Sequence, residues 1–369
     1  MIRVLHIIQQ LGPGRGGVRT FVSTMLDCPA PDIEQSVLSV GRVEGDRFGE
    51  RFFGPLIDSY SPLLVGTLGA KRLGAFLSKH SFDIVQIHTN NALGFVFASE
   101  AKKAGVPSRI VHCHNSALGS TSRLKNMVNV AMIERFLPSA SERWACSEVA
   151  GEYLFQGAGY ALVHNGVDSD KFRFSSSDRA AVRHRLGIPG NATVIGFVGA
   201  GIPAKNTLRA LDIFNQLRSS EADSRLLLFG QAEELPLAKE KAAKLGLSES
   251  AVFIGTVDDI WRYYSAMDAL LAPSFHEGLP IAFIEAQANG LPILSSDAVT
   301  QEADLTGLLQ RAGLSLSDRE WADLLQACAG KREITAKVDY VPFLDKAGYT
   351  TRSLYEQLSD RYRNMTKGA

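Results

Sequence analysis

Short, nearly continuous apolar runs bounded by turn residues recur along the first half of the chain. They are IRVLHII from Ile2, SVLSV from Ser36, DIVQIH from Asp83, RIVHC from Arg109, ERWAC from Glu142 and ALVHN from Ala161. Runs of this length without strict polar alternation predict strands covered on both faces. Helical segments stand between several of them, such as Val18 to Asp27 and Leu93 to Ala104, the latter stopped by Gly105 and Pro107. Strands alternating with helices predict a parallel sheet. The rhythm breaks between Lys171 and Ala192, where a serine cluster, a basic helical piece and a Gly/Pro turn follow one another, and it resumes with TVIGFVGA at Thr193, RLLLFG at Arg225, AVFIG at Ala251, DALLAP at Asp268 and LPILSS at Leu291. The pattern predicts an α/β protein of two Rossmann-like domains. Residues 1–170 form the first, 171–192 a linker and 193–345 the second. A final helix in 346–369, with Leu354, Leu358 and Tyr362 on one stripe, returns to the first domain.

Composition narrows the function classes. At 369 residues the chain exceeds what one growing core accommodates, and 45% apolar with 21% charged residues is the balance of a folded globular protein. Lys plus Arg and Asp plus Glu both total 39, so no overall basic field favours nucleic acid. The cysteines, Cys28, Cys113, Cys146 and Cys328, are scattered, against both a zinc site and a disulfide framework. MIRVLHIIQQLG is too short and interrupted for a signal sequence, and no stretch reaches the roughly 18 apolar residues of a membrane span. A cytoplasmic protein is expected, able to touch a membrane only from outside.

Ligands of open α/β sheets bind beyond the carboxyl ends of the strands. That rule selects the Gly12 to Gly17 loop, His88, His112 to Asn115, Ser147 and Asn165 on the first half, and Ala200 to Lys205, Gly230, Gly255 and Ser274 to Glu277 on the second. If the two sheets face each other, these positions line one cleft. Gly12, Gly14 and Gly17 satisfy G-x-G-x-x-G after the first strand, where glycines let backbone amides and a helix N-terminus approach a phosphate. A dinucleotide site would also need an acid at the end of the second strand, yet Asp32 and Glu34 precede that strand. A phosphate-approaching loop, a plain tight turn and an NAD-dependent oxidoreductase all remain open readings of these glycines. In PSFHEGLPIAFIEAQANGLPILSSD, from Pro273, Glu277 follows a strand and Pro280 suits the first turn of a helix that carries Glu285 about two turns deeper. The two carboxylates can span a sugar and a ribose. His88 and His112 stand evenly between structural and functional readings. His112 and His114 alternate by two and so share one side of a strand, but no third ligand is near in sequence and no metal is expected. Asp168, Ser169 and Asp170 read as a turn-ordering cap rather than a manganese motif.

EGLPIAFIEAQANGLP, with two glutamates separated by seven residues, resembles the donor-binding signature of family 4 glycosyltransferases. Further similarities run along nearly the whole chain: Gly16 and Gly17 after the first strand, His114, HNGVDSDKF around Asn165 and Asp168, and Lys205 after GFVGAGIPAKN. The resemblance implies the GT-B fold of two facing Rossmann-like domains and a retaining, metal-independent hexosyltransferase without cofactor. It would use a nucleotide-sugar donor, most often a uridine one, and a glycan or lipid-linked glycan acceptor, as in bacterial capsule and exopolysaccharide assembly. It implies donor contacts from Gly16, Gly17, Gly199, Lys205, Glu277, Gly278, Leu279 and Glu285. Lys205 would neutralise the diphosphate, Glu277 hold the sugar hydroxyls, Glu285 hold the ribose and His114 orient the sugar. His88, His112, Asn115 and Ser147 are acceptor-side candidates. Members usually carry an arginine five residues before the lysine, where this chain has Ala200. Arg15 or Arg19 is then expected to substitute, or leaving-group stabilisation is weaker and the chain is a weakened sugar-nucleotide-binding subunit.

SRLKNMVNVAMIERFLP, from Ser122, has apolar residues near helical spacing with Arg123, Lys125 and Arg135 among them. It reads first as an amphipathic helix against the core, and second as a surface approaching a lipid-linked acceptor.

Overall fold

The computed structural model describes residues 1–9, 17–43, 48–114, 123–199, 201–277 and 279–367. The chain divides into two compact units, Met1–Gly166 with Thr351–Ala369, and Val167–Thr350.

The first unit is built on a parallel sheet of seven strands: β1 (Ile2–Ile8), β2 (Ile33–Ser39), β3 (Phe52–Phe53), β4 (Ile84–Thr89), β5 (Ser108–Cys113), β6 (Glu142–Ala145) and β7 (Ala161–Leu162). Their spatial order is β3-β2-β1-β4-β5-β6-β7. Successive side chains go to opposite faces. Leu5, Ile7, Val85, Ile87 and Val111 pack beneath the helices Ala70–Leu77 and Leu93–Lys103, and Val4, Ile8, Val37, Ile84, Ile110 and Trp144 form the core on the other face. That second face is covered by the helices Gly17–Leu26 and Thr351–Thr366, the latter through Leu354, Leu358 and Tyr362, the stripe the sequence predicts. Tyr355 Oη also donates to the Thr24 carbonyl at 2.8 Å.

The second unit carries β8 (Val194–Val198), β9 (Arg225–Phe229), β10 (Ala251–Gly255), β11 (Ala269–Ala272), β12 (Ile293–Ser296) and β13 (Leu309–Ala312), in the order β10-β9-β8-β11-β12-β13 and again parallel. Residues 171–192, expected as a linker, lie within this unit. They hold the helix Ser176–Arg185, and two of its basic residues, Arg179 and Arg183, are anchors rather than solvated charges. Arg179 Nη2 and Arg183 Nη2 reach the two oxygens of Asp268 at 2.6 and 2.8 Å, and the Val194 amide donates to the same carboxylate at 2.7 Å. One buried aspartate thereby ties the helix to the starts of β8 and β11, and burying it is tolerable because both of its oxygens accept from donors, two of them cationic.

Two strands escape the sequence pattern. β3 has two residues, and β13, LQRA, exposes Arg311 and half-buries Gln310 at an edge of its sheet. Edge strands need no continuous apolar run.

Leu358→Ala would empty a fully buried position between the terminal helix and the sheet. It should cost about 2–5 kcal/mol of unfolding free energy, read as a lower urea midpoint. An unchanged midpoint would show that the terminal helix does not support the first unit.

Candidate functional site

In an open parallel sheet the strand order reverses at one place, and the carboxyl ends there leave a crevice. In the second unit that place is between β8 and β11, the neighbours at the centre of the sheet. The loop after β8 turns at Gly199, whose φ is +101°; a Cβ there would stand 3.0 Å from Lys205 Cγ. Glycine is therefore required both by the backbone and by the lysine lying across it. Asn206, itself left-handed at φ +59°, starts the helix Thr207–Arg218 and donates from Nδ2 to the Pro273 carbonyl at 3.1 Å. The Phe275 amide donates to the Ala204 carbonyl at 2.8 Å. The loops after β8 and β11 are thus pinned together.

Across that junction Lys205 Nζ pairs with Glu277 Oε1, both side chains mostly buried. The same carboxylate oxygen accepts from the buried Ser274 Oγ at 3.1 Å, and the Glu277 main chain bridges to Val299. Glu285 lies in the helix Ile281–Ala288, which Pro280 caps from just outside, and its Oε2 accepts from Tyr264 Oη at 2.8 Å. Burial, then the neighbouring Glu285 charge, pushes the Tyr264 hydroxyl well above its ordinary range, so it stays a donor. The result is a cation and a carboxylate paired at the strand-end junction, and a second carboxylate in the helix that follows, each oriented by a neighbour.

The first unit presents neutral groups instead. The face of its sheet under the helices Gly17–Leu26 and Thr351–Thr366 carries Gln35, His6, Gln86, His88 and His112, each at most 5% exposed, and His114 follows at the end of β5. Gln35 Nε2 donates to the Met25 carbonyl at 2.6 Å and its Oε1 faces His6 Nε2 at 2.8 Å. His6 Nδ1 faces His88 Nε2 at 3.0 Å, His88 Nδ1 faces His114 Nε2 at 2.8 Å, and His114 Nδ1 faces Asn165 Oδ1 at 3.1 Å. A second line runs from Tyr362 Oη to Gln86 Oε1, and from Gln86 Nε2 to His112 Nδ1 at 2.9 Å. Phe21 lies edge-on to His112 and His114. Burial, opposed by the Gln35 hydrogen bond, lowers His6 to about 4. Burial likewise lowers His114 to about 4, and it takes His88 and His112 well below the usual imidazole value. All four rings are neutral at pH 7.

His88, His112 and His114 offer nitrogens within 4.8 Å of one another, so the third ligand missing in sequence is supplied by β4. A divalent cation could span such a group, but it would have to displace the His88–His114 hydrogen bond. Separately, a cavity of about 650 Å³ opens beside β2, lined by Cys28, Glu34, Gln35, Arg51 and Phe53, away from the strand ends just described.

The remaining predicted residues fall as follows. Gly17 opens its helix, Leu279 packs on the second unit's core, and Ser147 is buried as the cap of the helix Glu148–Phe155, its Oγ accepting from the Ala150 amide at 3.2 Å. That capping bond accounts for the serine without a ligand. Asp168 Oδ1 accepts from the Lys171 amide at 3.4 Å, a turn-ordering contact. Arg19 is buried. Gly12, Gly14, Arg15, Gly16, Asn115, Ala200 and Gly278 lie outside the described residues. Sequence reasoning missed His6, Gln35, Gln86 and Tyr264, whereas Ser274 stood among the strand-end positions it selected. For His6, Gln35 and Gln86 a signal existed: polar residues at core-facing strand positions, in line with Val4, Ile33 and Ile84.

Two family models match the chain in tandem. The one described as Glycosyltransferase Family 4 covers residues 15–171, and the one described as Glycosyl transferases group 1 covers residues 178–327. The chain belongs to the family 4 glycosyltransferases. Among relatives of this glycosyltransferase, a Bacillus subtilis (strain 168) protein named as glycosyltransferase EpsF is 28% identical over 99% of this chain and 97% of its own. An Escherichia coli UDP-Gal:alpha-D-GlcNAc-diphosphoundecaprenol alpha-1,3-galactosyltransferase is 27% identical over 67% of this chain and 66% of its own. Among solved structures, Anabaena Alr3699/HepE in complex with UDP-glucose aligns at TM-score 0.76 with 19% identity, covering 99% of this chain and all of that one. The lipopolysaccharide glycosyltransferase WaaG aligns at TM-score 0.72 with 16% identity, covering 97% and 99%. These likenesses bear out the GT-B fold class.

The neutral histidines make the first unit acid-labile. Unfolded, such rings titrate near 6.5; folded, His6 and His114 do so at about 4. Between those values the unfolded chain binds the extra protons, so their contribution is fully present above about pH 6.5 and is lost as pH falls toward 4. His6 alone should remove on the order of 3 kcal/mol across that window. Urea unfolding followed from pH 7 to 4 should show a steeper decline for wild type than for His6→Gln; equal slopes would refute the assignment.

Proposed function

We propose that this glycosyltransferase moves a sugar from a uridine diphosphate donor to a glycan or lipid-linked glycan acceptor, with retention of configuration and without metal or other cofactor. The Lys205–Glu277 pair at the β8/β11 junction, with Glu285 farther along the same segment, carries the reading. As the bond to the sugar breaks, negative charge grows on the departing diphosphate. Lys205 and the amino end of the helix Thr207–Arg218 supply positive potential for it. Once Lys205 turns to the phosphate, Glu277 is released to accept sugar hydroxyls, and Glu285, steadied by Tyr264, accepts ribose hydroxyls. Gly17 and Gly199 bring main-chain amides to the donor, while His114 on the first unit orients the sugar. The first unit is the acceptor domain and the second the donor domain in this reading.

Its support is chemical and comparative. HepE is seen with UDP-glucose, and the Escherichia coli relative's name specifies a UDP-galactose donor and a diphosphoundecaprenol acceptor. An NAD-dependent oxidoreductase is disfavoured: Asp32 precedes β2 and is held by Arg363 at 2.8 and 2.9 Å, and Glu34, near the start of that strand, pairs with Arg3.

The helix Arg123–Phe136 favours a peripheral site at the inner face of the plasma membrane, within a cytoplasmic setting. Of its residues only Ile133 is buried, while Leu124, Met127 and Val128 are 71%, 69% and 52% exposed beside Arg123 and Lys125. The first reading of this segment, an amphipathic helix against the core, holds for Met132, Ile133 and Phe136, which pack there, but leaves Leu124, Met127 and Val128 unaccounted for. Asn129 accepts from the Ala92 amide at the start of the helix Leu93–Lys103, and the nearby turn Pro62–Gly69 adds exposed Leu63, Leu64 and Leu68. Exposed leucines beside basic residues suit the interface of an anionic bilayer. No described helix is long and apolar enough to cross one.

Thermal shift with UDP-, GDP- and ADP-sugars and NAD should show stabilisation by a UDP-sugar; stabilisation by NAD alone would sink the proposal. Lys205→Ala should lower transfer by about 100-fold or more, and Glu277→Gln should abolish selectivity for the sugar while UDP still binds. NMR of the product from an α-linked donor should show an α linkage, whereas a β product would overturn retention. Arg123→Glu with Lys125→Glu should reduce sedimentation with anionic liposomes severalfold, and unchanged sedimentation would remove the membrane contact.

A further inference from the structure

The line from Gln35 to Asn165 contains three neutral rings and four hydrogen-bonded junctions: Gln35 to His6, His6 to His88, His88 to His114, and His114 to Asn165. Each junction needs one hydrogen, and three neutral imidazoles carry three N–H groups. One end of the line must therefore supply a hydrogen of its own. The Gln35 end cannot. Its Nε2 is committed to the Met25 carbonyl at 2.6 Å, so only its oxygen faces His6, and turning the amide over would set that oxygen against a carbonyl. His6 must then carry hydrogen on Nε2. Its bare Nδ1 can only accept, so His88 is the Nε2–H form, and by the same step His114 is too. His114 Nδ1 is left with its lone pair toward Asn165. As placed, Asn165 also turns its oxygen to the line, so both ends would accept; since Gln35 cannot turn over, the Asn165 amide must, and its NH₂ group closes the line.

We infer that Gln35, His6 and His88 are positioning residues that fix the tautomer of His114 from the opposite end of the hydrogen-bonded line, so that His114, just past the end of β5, carries its hydrogen on Nε2 and accepts from Asn165 at Nδ1. Packing supports the assignment. The rings of His6 and His88 stack at 5.3 Å, and His114 lies 5.0 Å from His88 and from Phe21 by ring centroids, so none can turn over without displacing a neighbour. His112 is excluded from the line, since its Nδ1 accepts from Gln86, which Tyr362 holds. That this tautomer serves sugar transfer rests on the proposed function; the tautomer itself does not.

Long-range ¹H–¹⁵N spectra of the full chain at pH 7.5 distinguish the two. Wild type should show His6, His88 and His114 as Nε2–H tautomers, and a His114 carrying hydrogen on Nδ1 overturns the inference without any variant. Gln35→Leu removes the acceptor that fixes the polarity, leaving the Asn165 oxygen as the end acceptor. All three rings should then reverse to Nδ1–H, whereas Asn165→Leu should leave the wild-type pattern. Should Gln35→Leu fail to fold by circular dichroism, Gln35→Met replaces it. A Gln35 variant that keeps the wild-type tautomers refutes the relay. In transfer assays the reversed variant should lose about tenfold in kcat, by analogy with the partners that orient metal-bound histidines, with donor KM little changed; reversal without loss of kcat would refute the positioning role. Absence of transfer by wild type with every donor would instead count against the proposed function, while the spectra still decide the relay.

Discussion

The Lys205–Glu277 ion pair depends on one topological fact: β8 and β11 are neighbours in space although two strands intervene in the chain. Parallel pairing puts all the carboxyl ends on one edge, and the reversal between these two strands lets their loops meet. Almost every feature around the pair serves that meeting. Gly199 permits the lysine to cross the loop, Asn206 reaches the Pro273 carbonyl, and Ser274 fixes the carboxylate. A mostly buried pair of this kind contributes little net stability, since desolvation opposes its attraction. Its worth lies in arrangement. Each charge neutralises the other, and under the proposed function an anionic donor would draw the lysine away.

The first unit meets its edge with neutral groups. A face that could have been all apolar carries Gln35, His6, Gln86, His88 and His112, and leaving any of them unsatisfied costs about 1–3 kcal/mol. The lines from Gln35 and from Tyr362 avoid most of that cost by joining each polar atom to the next. Within these two lines His112 Nε2 is buried without a hydrogen-bond partner, and on the same face so is Trp144 Nε1. Buried polar lines this complete are uncommon away from functional sites, because a single broken member strands the rest.

Much of this was legible in the sequence. Apolar runs and turn residues located most of the strands because those strands are covered on both faces, and Leu354, Leu358 and Tyr362 revealed a docked helix through their spacing. Glu277 and Glu285 stood out because glycines and prolines frame them. Three things were not legible. Arg179 and Arg183 looked like linker charges, since nothing local announces that Asp268, far along the chain, receives them. The exposed side of Arg123–Phe136 was obscured because its apolar residues are spread around the helix rather than gathered on one stripe. His6 hid inside an apolar run, where one histidine among six aliphatic or basic neighbours reads as a strand residue until β2 and β4 are set beside it.

The two units therefore place their chemistry by different physics, and the difference follows from what each edge must do. Charges held in reserve respond to a charged ligand over several ångströms, and they suit the departure of a diphosphate. Neutral imidazoles at fixed tautomer respond only to a group within hydrogen-bond reach, and they favour orientation over attraction. A sugar ring, uncharged and rich in hydroxyls, is the kind of group that neutral donors and acceptors can orient without holding it too tightly. Under the proposed function, the absence of an arginine at Ala200 would place more of the diphosphate's neutralisation on Lys205 and the helix behind it. Nothing in the neutral line of the first unit can replace that positive charge.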